Sequence, residues 1–385
     1  MPLSSRRLWA GLTLAVLLVS AMIAFSSPLG LDYYAPPCDP YICDDAGPAL
    51  HALVRRDFHG FFANQPPMGS LSLYVRAPFA ALAGGGHGSE LLAYQLGSLA
   101  CLLAAGALSL FLMRALARRG RSWMACLVGL GVLVNPLTYS ALKYGHPEEV
   151  LGGALGVAAL LAAARRRPLA AGILLGCALA TKQWAALAVL PVLIAAPRGA
   201  RVRLLGVAAF AAVALTLPLV IGDPSRFADA QHAIGISKPF QHTVTASNVW
   251  FQLADGSTQG GVAQYSLPGW LGSLTTPLVI AVALALSLAY VRRRGGVDAE
   301  EALGLLALIL LLRCLLDPLA YSYHHLPFLM ALVAWEALRR RVPVLSVLTA
   351  GALVLTTNVV APMHDAGLVN AFYLLWAVPL ALVLG

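Results

Sequence analysis

Four groups of residues in this chain have the types and spacing to do chemistry. They are Asp39 with Asp44-Asp45, the run His146-Pro147-Glu148-Glu149, Lys182, and Arg313 with Asp317 and His324-His325. Carboxylates such as Asp44 and Asp45 can take a proton from a hydroxyl, and cations such as Lys182 and Arg313 can hold an anion that forms as a bond breaks. Each group alone also has an ordinary reading. Paired loop acids are usually solvated, and Glu148 and Glu149 stand where carboxylates favour the start of a helix. Arg313 and Asp317, four apart, fit an ion pair on one helical face, and Lys182 fits a lysine snorkelling to an interface. Their joint weight comes from falling on the same side of one membrane layout.

That layout follows from the arginines. Arg6-Arg7, Arg114 to Arg121, Arg165-Arg166-Arg167, Arg198 to Arg203, Arg292-Arg293-Arg294 and Arg339-Arg340-Arg341 separate the apolar stretches of the sequence. Those stretches are roughly 15–25 residues long, about what crosses a ~30 Å hydrocarbon core as a helix. Basic residues gather on cytoplasmic loops. With the clusters placed inside, that face carries 18 Arg and Lys against four acids, and the other face carries the remaining eight with 13 acids. The composition agrees, at 59% hydrophobic and 11% charged, against about 25% charged for a soluble domain. The net charge of +9 then reflects topology and anionic headgroups, and nucleic acid is excluded as a partner.

The chain therefore reads as an all-α polytopic integral membrane protein, residues 1–385 forming one bundle of about 10–12 transmembrane helices with both termini cytoplasmic. Leu8 to Ser26 is a retained first span, since ~18 apolar residues is long for a signal core. Two long extracytoplasmic loops are expected, 27–89 and 222–272. In the first, Leu71 to Leu82 carries Arg76 and is too short to cross, which suits an interfacial helix. Pro168 to Pro197 has a basic cluster at each end and Thr181-Lys182-Gln183 at its midpoint. Each limb is about 14 residues, or about 21 Å of helix, so the spacing predicts a hairpin whose apex stops within the membrane. Lys182 should then face a wet cavity or a partner charge. Gly152, Gly153 and Gly156 read as close helix packing. Cys101, Cys126, Cys177 and Cys314 lie in apolar runs; Cys38 and Cys43 fit a disulfide in an oxidising compartment, and their C-x4-C spacing alone is a weak zinc signal.

The first-loop acids, the turn Gly145-His146-Pro147-Glu148-Glu149, the run Ala171-Gly172…Ala180-Thr181-Lys182-Gln183-Trp184 and the segment Tyr321-Ser322-Tyr323-His324-His325 resemble a known group. It is the polyprenol-phosphate-dependent glycosyltransferases of the GT-C superfamily, particularly glycosyltransferase family 87 with its mycobacterial and corynebacterial mannosyltransferases. The resemblance implies a GT-C-like bundle, with a lateral opening for a lipid donor, in a bacterial plasma membrane. It implies an enzyme moving a sugar, mannose favoured, from a polyprenyl-phosphate donor to a lipid or cell-envelope glycan acceptor on the extracytoplasmic face. It places the catalytic base at Asp45 or Asp44, because the acid is followed here by Ala46-Gly47-Pro48 and not by Asp-x-x-x-Tyr.

The residues themselves support the same chemistry. Lys182, Arg313, His324, His325, His146, Glu148 and Glu149 are the candidate contacts for the donor phosphate and the substrate. A monophosphate leaving group held by side-chain cations needs no metal and no cofactor, although Asp45 with Glu148 or Glu149 could hold a divalent ion. The rival classes are a secondary transporter, a lipid-linked glycan flippase or a ligase, since short helices and intramembrane charges mark transporters too. Two long outer segments and minimal cytoplasmic loops favour the transferase. High Ala, Gly and Arg content points to a GC-rich bacterium. Cysteines introduced near Pro66 and Gly260 should label with an impermeant thiol reagent from outside intact cells, and cysteines near Gly120, Gly295 and Arg340 should not; labelling at Gly295 would invert the orientation.

Overall fold

In hydrocarbon every backbone N–H and C=O must be satisfied within its own segment, so the apolar stretches fold as helices. The computed structural model describes residues 6–26, 44–66, 68–84, 89–117, 122–235, 243–259, 262–294, 298–339, 342–363 and 365–385. Asp39 and the expected Cys38–Cys43 bridge lie outside the described residues. Helix α1 (Arg6–Ser26) comes first, and the first long loop folds as three short helices, α2 (Gly47–Val54), α3 (Phe58–Ala63) and α4 (Ser70–Ala80). Next are α5 (Glu90–Ala117), α6 (Ser122–Leu133) and α7 (Pro136–Lys143). The last two together make one expected span, broken at Asn135-Pro136. Pro136 has no N–H to continue α6, and the Asn135 side chain caps the new helix by accepting the Thr138 N–H at 2.9 Å.

Helix α8 (Pro147–Ala164) is followed by the expected hairpin, whose limbs are α9 (Pro168–Leu179) and a 3₁₀ stretch (Gln183–Ala188) leading into α10 (Val189–Ala195). Thr181 and Lys182 form its apex. Then come α11 (Arg201–Gly222) and α12 (Pro224–Gly235). A two-stranded antiparallel hairpin, β1 (Asp255–Gln259) with β2 (Val262–Ser266), is the one departure among the described residues from an all-helical chain. The sequence between the strands is Gly260-Gly261, a hairpin signal that the apolar count passes over. The chain ends with α13 (Gly269–Arg294), α14 (Ala299–Leu316), α15 (Leu326–Leu338), α16 (Val344–Leu355) and α17 (Ala366–Leu384).

Eight helical stretches among the described residues are long and apolar enough to cross a membrane. Beside them stand the two short limbs of the hairpin, the 13-residue α15, and α14, which carries Glu300, Glu301 and Arg313. Helices α8, α14 and α15 form the buried centre, where nearly every side chain is shielded. Helices α1, α11, α13 and α17 expose Leu18, Phe210, Ile280 and Leu382 on their outer faces, as segments facing lipid do. Acids at the arginine-rich end are engaged as helix caps. Glu336 of α15 is buried and accepts the N–H groups of Leu345 and Ser346, both at 2.9 Å, so it caps α16 from outside that helix. Asp298 and Glu301 form a reciprocal capping box at the start of α14.

The hairpin apex is fixed to the first long loop through backbone atoms. Gly69 N–H donates to the Thr181 carbonyl at 3.0 Å and Leu71 N–H to the Ala180 carbonyl at 2.9 Å. A Cβ at Gly69 would fall 2.1 Å from the Ala180 oxygen, a contact no side chain can make. Gly152 likewise leaves room for the Trp184 ring, which would stand 3.1 Å from a Cβ there, as the glycine run suggested. Gly69→Ala should therefore destabilise the folded protein by about 2–3 kcal/mol and displace the apex. Gly206→Ala, with open space around its Cβ, should be neutral or stabilising by up to ~1 kcal/mol. Thermal unfolding of the two variants in detergent compares them directly.

Candidate active site

Lys182 is where the elements converge. Its Nζ lies 3.0 Å from Glu148 Oε1 and 3.7 Å from Glu149 Oε1, both carboxylates fully buried in the first turn of α8. The tight turn before α8 puts them there. Gly145 adopts φ +78° at the end of α7, and His146 N–H returns to the Ala141 carbonyl at 2.7 Å. Pro147 then opens the helix at a position where a missing N–H costs nothing. His146 Nδ1 is 3.0 Å from Glu148 Oε1, and its ring stacks on Tyr323 at 4.4 Å. Glu148 Oε2 and both oxygens of Glu149 have no hydrogen-bond partner among the described residues.

A cavity of about 400 Å³ opens beside this cluster. Its lining combines the charged and polar Glu149, Lys182, Arg313, Asp317 and His324 with the apolar Trp184, Leu187, Val279 and Ile280. Arg313 does not pair with Asp317 as their spacing allowed. Its guanidinium lies over Trp184, 5.5 Å from the ring centroid, and donates to the His324 carbonyl at 3.4 Å. The loop leading into β1 fixes this end of α14. Val249 N–H, Trp250 Nε1 and Thr245 N–H reach the carbonyls of Leu315, Leu316 and Pro318 at 3.3, 2.7 and 3.0 Å, and Asn248 Nδ2 donates to that of Asp317. Those carbonyls are ones the helix cannot satisfy itself.

The two histidines part company. His324 Nδ1 accepts the Tyr321 N–H at 3.3 Å, which leaves the proton on Nε2 of a ring at the cavity wall. Burial, with Arg313 and Lys182 nearby, holds that imidazole well below its ordinary pKa and neutral. His325 is turned away from the cavity. Its Nε2 meets the Tyr373 hydroxyl at 2.8 Å and its Nδ1 the Tyr321 carbonyl at 3.2 Å, and burial pushes it down to about 4. A neutral, fully engaged ring cannot serve as a cationic contact, so His325 positions α17 against the loop instead.

Asp44 and Asp45 have opposite surroundings. Asp44 is buried in a bidentate pair with Arg76, Nη1 reaching Oδ1 at 3.1 Å and Nη2 reaching Oδ2, and its Oδ1 also accepts the Ala46 N–H at 3.1 Å. Burial pushes its carboxyl up from the ordinary value while Arg76 draws it back. Arg76 is fully buried in α4, close to the Tyr94 ring. Asp45 is exposed, and near enough to Lys182 and Tyr323 to act on both electrostatically. Sequence reasoning missed Arg76 as the partner of Asp44. An arginine inside a short apolar segment was the available signal, because arginine is almost never buried unpaired. Gln231 of α12, bonded to Gln183 at 3.1 Å beside the cavity, gave no signal at all.

The arrangement can hold an anion attached to an apolar chain, with a solvent-accessible carboxylate close by. Residues 66–318, more than half of the chain, match the profile described as Glycosyltransferase family 87. No curated protein sequence matches the chain. Among solved structures, ArnT from Cupriavidus metallidurans in the apo state aligns over 97% of this chain and 76% of its own, at 17% identity and a TM-score of 0.54. The same protein bound to undecaprenyl phosphate aligns over 98% and 77%, at 16% identity and a TM-score of 0.54. Both likenesses are of fold.

Arg76→Leu leaves Asp44 buried without its cation and should cost about 3–5 kcal/mol, whereas the Asp44→Leu/Arg76→Leu pair should recover most of that loss. Unfolding midpoints of the single and double variants measure the difference. A single variant as stable as wild type would show that Asp44 is not held by Arg76.

Proposed function

Because the chain belongs to glycosyltransferase family 87 and is a membrane glycosyltransferase with the GT-C fold, we propose that it takes its sugar, mannose in our reading, from a polyprenyl-phosphate donor and passes it to a lipid or cell-envelope glycan acceptor. The family match sets aside the transporter and flippase alternatives. The observation that carries the donor class is the mixed lining of the cavity, where Lys182, Arg313 and His324 stand beside Trp184, Leu187 and Ile280. The cations and the His324 Nε2–H suit a phosphate, and the apolar side chains suit a prenyl chain. The binding of undecaprenyl phosphate by ArnT, a protein of the same fold, supports that class. The Trp184 Nε1 and the Glu149 oxygens are buried without a hydrogen bond; the first can donate to the sugar or its phosphate, and the second can accept from sugar hydroxyls.

In the proposed reaction Asp45 takes the proton of the acceptor hydroxyl as that oxygen bonds to the anomeric carbon. The bond from the anomeric carbon to the phosphate oxygen breaks, and polyprenyl phosphate departs with its charge met by Lys182, Arg313 and His324. Lys182 is already neutralised by Glu148 and Glu149, so the donor phosphate draws its ammonium from the longer contact, the one to Glu149. Asp44 keeps the turn that presents Asp45 and does not touch the acceptor. On the topology read from the arginine clusters, the reaction faces the extracytoplasmic side.

Membranes containing the protein, offered a panel of radiolabelled polyprenyl-phosphate sugars, should transfer label to lipid or glycan from one of them, the mannosyl donor first. Asp45→Asn should reduce kcat by roughly 10²–10⁴-fold while donor binding persists, the usual contribution of a general base. Glu149→Gln tests the competing carboxylate. A larger kcat loss there than in Asp45→Asn would move the base to Glu149. Lys182→Ala should weaken donor use, and Lys182→Arg should keep part of it.

A further inference from the structure

A second cavity, of about 610 Å³, lies at the opposite end of the bundle, among the arginine clusters. It opens where the ends of α8 and α10 meet the starts of α11 and α14 and the end of α13. Its rim is made by Arg166, Arg198 and Arg201 with Asp298, and Ile194 and Val291 contribute apolar floor. Its volume is that of a small-molecule site. The rim is built in a way that a solvated cluster is not. Arg201 donates from Nε to the Ala196 carbonyl and from Nη2 to the Ile194 carbonyl, each at 3.3 Å. Two of its five N–H groups thus cap the end of α10, and the planar head is held in place. Asp298 has one oxygen engaged by the Glu301 N–H at 2.8 Å in the α14 cap.

Arg166 is the more telling residue. It has φ +58°, and the bonds from its own N–H to the Ala163 carbonyl and from Arg167 N–H to the Ala162 carbonyl close the helix end in the pattern where glycine is the ordinary occupant. A left-handed conformation is strained for arginine. Here the side chain is kept at that position and lines the cavity, while its neighbour Arg165 lies on the Phe111 ring at 3.8 Å and takes no part.

We propose that this cavity binds the phosphate of an anionic phospholipid from the leaflet at the arginine-rich end. Three guanidinium groups match phosphate oxygens, which they can meet with paired N–H donors. The apolar floor suits the glycerol and the first acyl carbons, and favours a lipid over a soluble phosphate. Basic pockets between membrane helices on the cytoplasmic side bind lipid headgroups in this way.

The test uses the full-length protein, purified in detergent and loaded with either phosphatidylglycerol or phosphatidylcholine, with retained lipid counted by native mass spectrometry. The variant is Arg166→Gly with Arg198→Gln. Glycine suits the left-handed position, so the first change should leave the unfolding temperature equal or higher. Wild type should retain phosphatidylglycerol in preference to phosphatidylcholine, and the double variant should retain at least about tenfold less of it, as the loss of two charge contacts near a membrane surface implies. Equal retention by wild type and variant would overturn the proposal. Displacement of phosphatidylglycerol by inorganic phosphate at millimolar concentration would assign the cavity to a soluble phosphate and overturn the lipid reading as well.

Discussion

The contact between Lys182 and the Glu148–Glu149 pair is the constraint around which the bundle is arranged. Two carboxylates with no exposure at all cannot stay ionised inside a membrane protein without a cation, since stripping each of water costs several kcal/mol or more. The cation must arrive at the first turn of α8, and the apex of the hairpin brings it there. Its limbs set the depth of Lys182, the Gly69 and Leu71 hydrogen bonds hold the apex laterally, and Trp184, seated over Gly152, sets the angle of the chain as it leaves. The first long loop is thereby part of the site's frame, and its own buried pair, Asp44 with Arg76, keeps it rigid enough to serve.

The third component is the end of α14. A helix that ends beside a cavity leaves carbonyls facing inward, and the chain covers them with the segment from Thr245 to Trp250. Asn370 of α17 secures that segment in turn, donating to the Asn248 carbonyl at 2.6 Å and the Ala246 carbonyl at 2.9 Å. Arg313 is therefore placed by a chain of polar contacts running from the last helix to the cavity wall. The site joins residues more than two hundred positions apart in the chain.

The sequence made the large features legible, because they depend on length and charge. Arginine clusters marked the membrane layout, two limbs too short to cross marked the hairpin, and a lysine at its midpoint marked the cavity. Partners were harder to read. The spacing of Arg313 and Asp317 allowed an ion pair, but at a helix end the backbone turns and Arg313 swings to Trp184 and the His324 carbonyl instead. His324 and His325 look equivalent on paper; one 3₁₀ turn sends the first to the cavity and the second to Tyr373. The break at Asn135-Pro136 fell inside an apolar count that does not notice proline. Asp44 and Asp45, adjacent and identical, are separated only by Arg76, whose position in space no spacing rule reveals.

The hairpin also has a temporal side. Every group that Lys182 leans on, Gly69 and Leu71 through the apex and Glu148 and Glu149 through its ammonium, precedes it in the chain. Synthesis proceeds from the N-terminus and folding follows it, so when the lysine reaches the ribosome exit its counter-charges are already waiting. The counter-charges of the hairpin's charged tip are thus in place before the tip is made. Arg313 and the segment that holds it emerge later, and His324 and Asn370, which complete their contacts, later still. The order of residues along the chain is thus an order of assembly, in which the lysine is made only after the carboxylates that neutralise it.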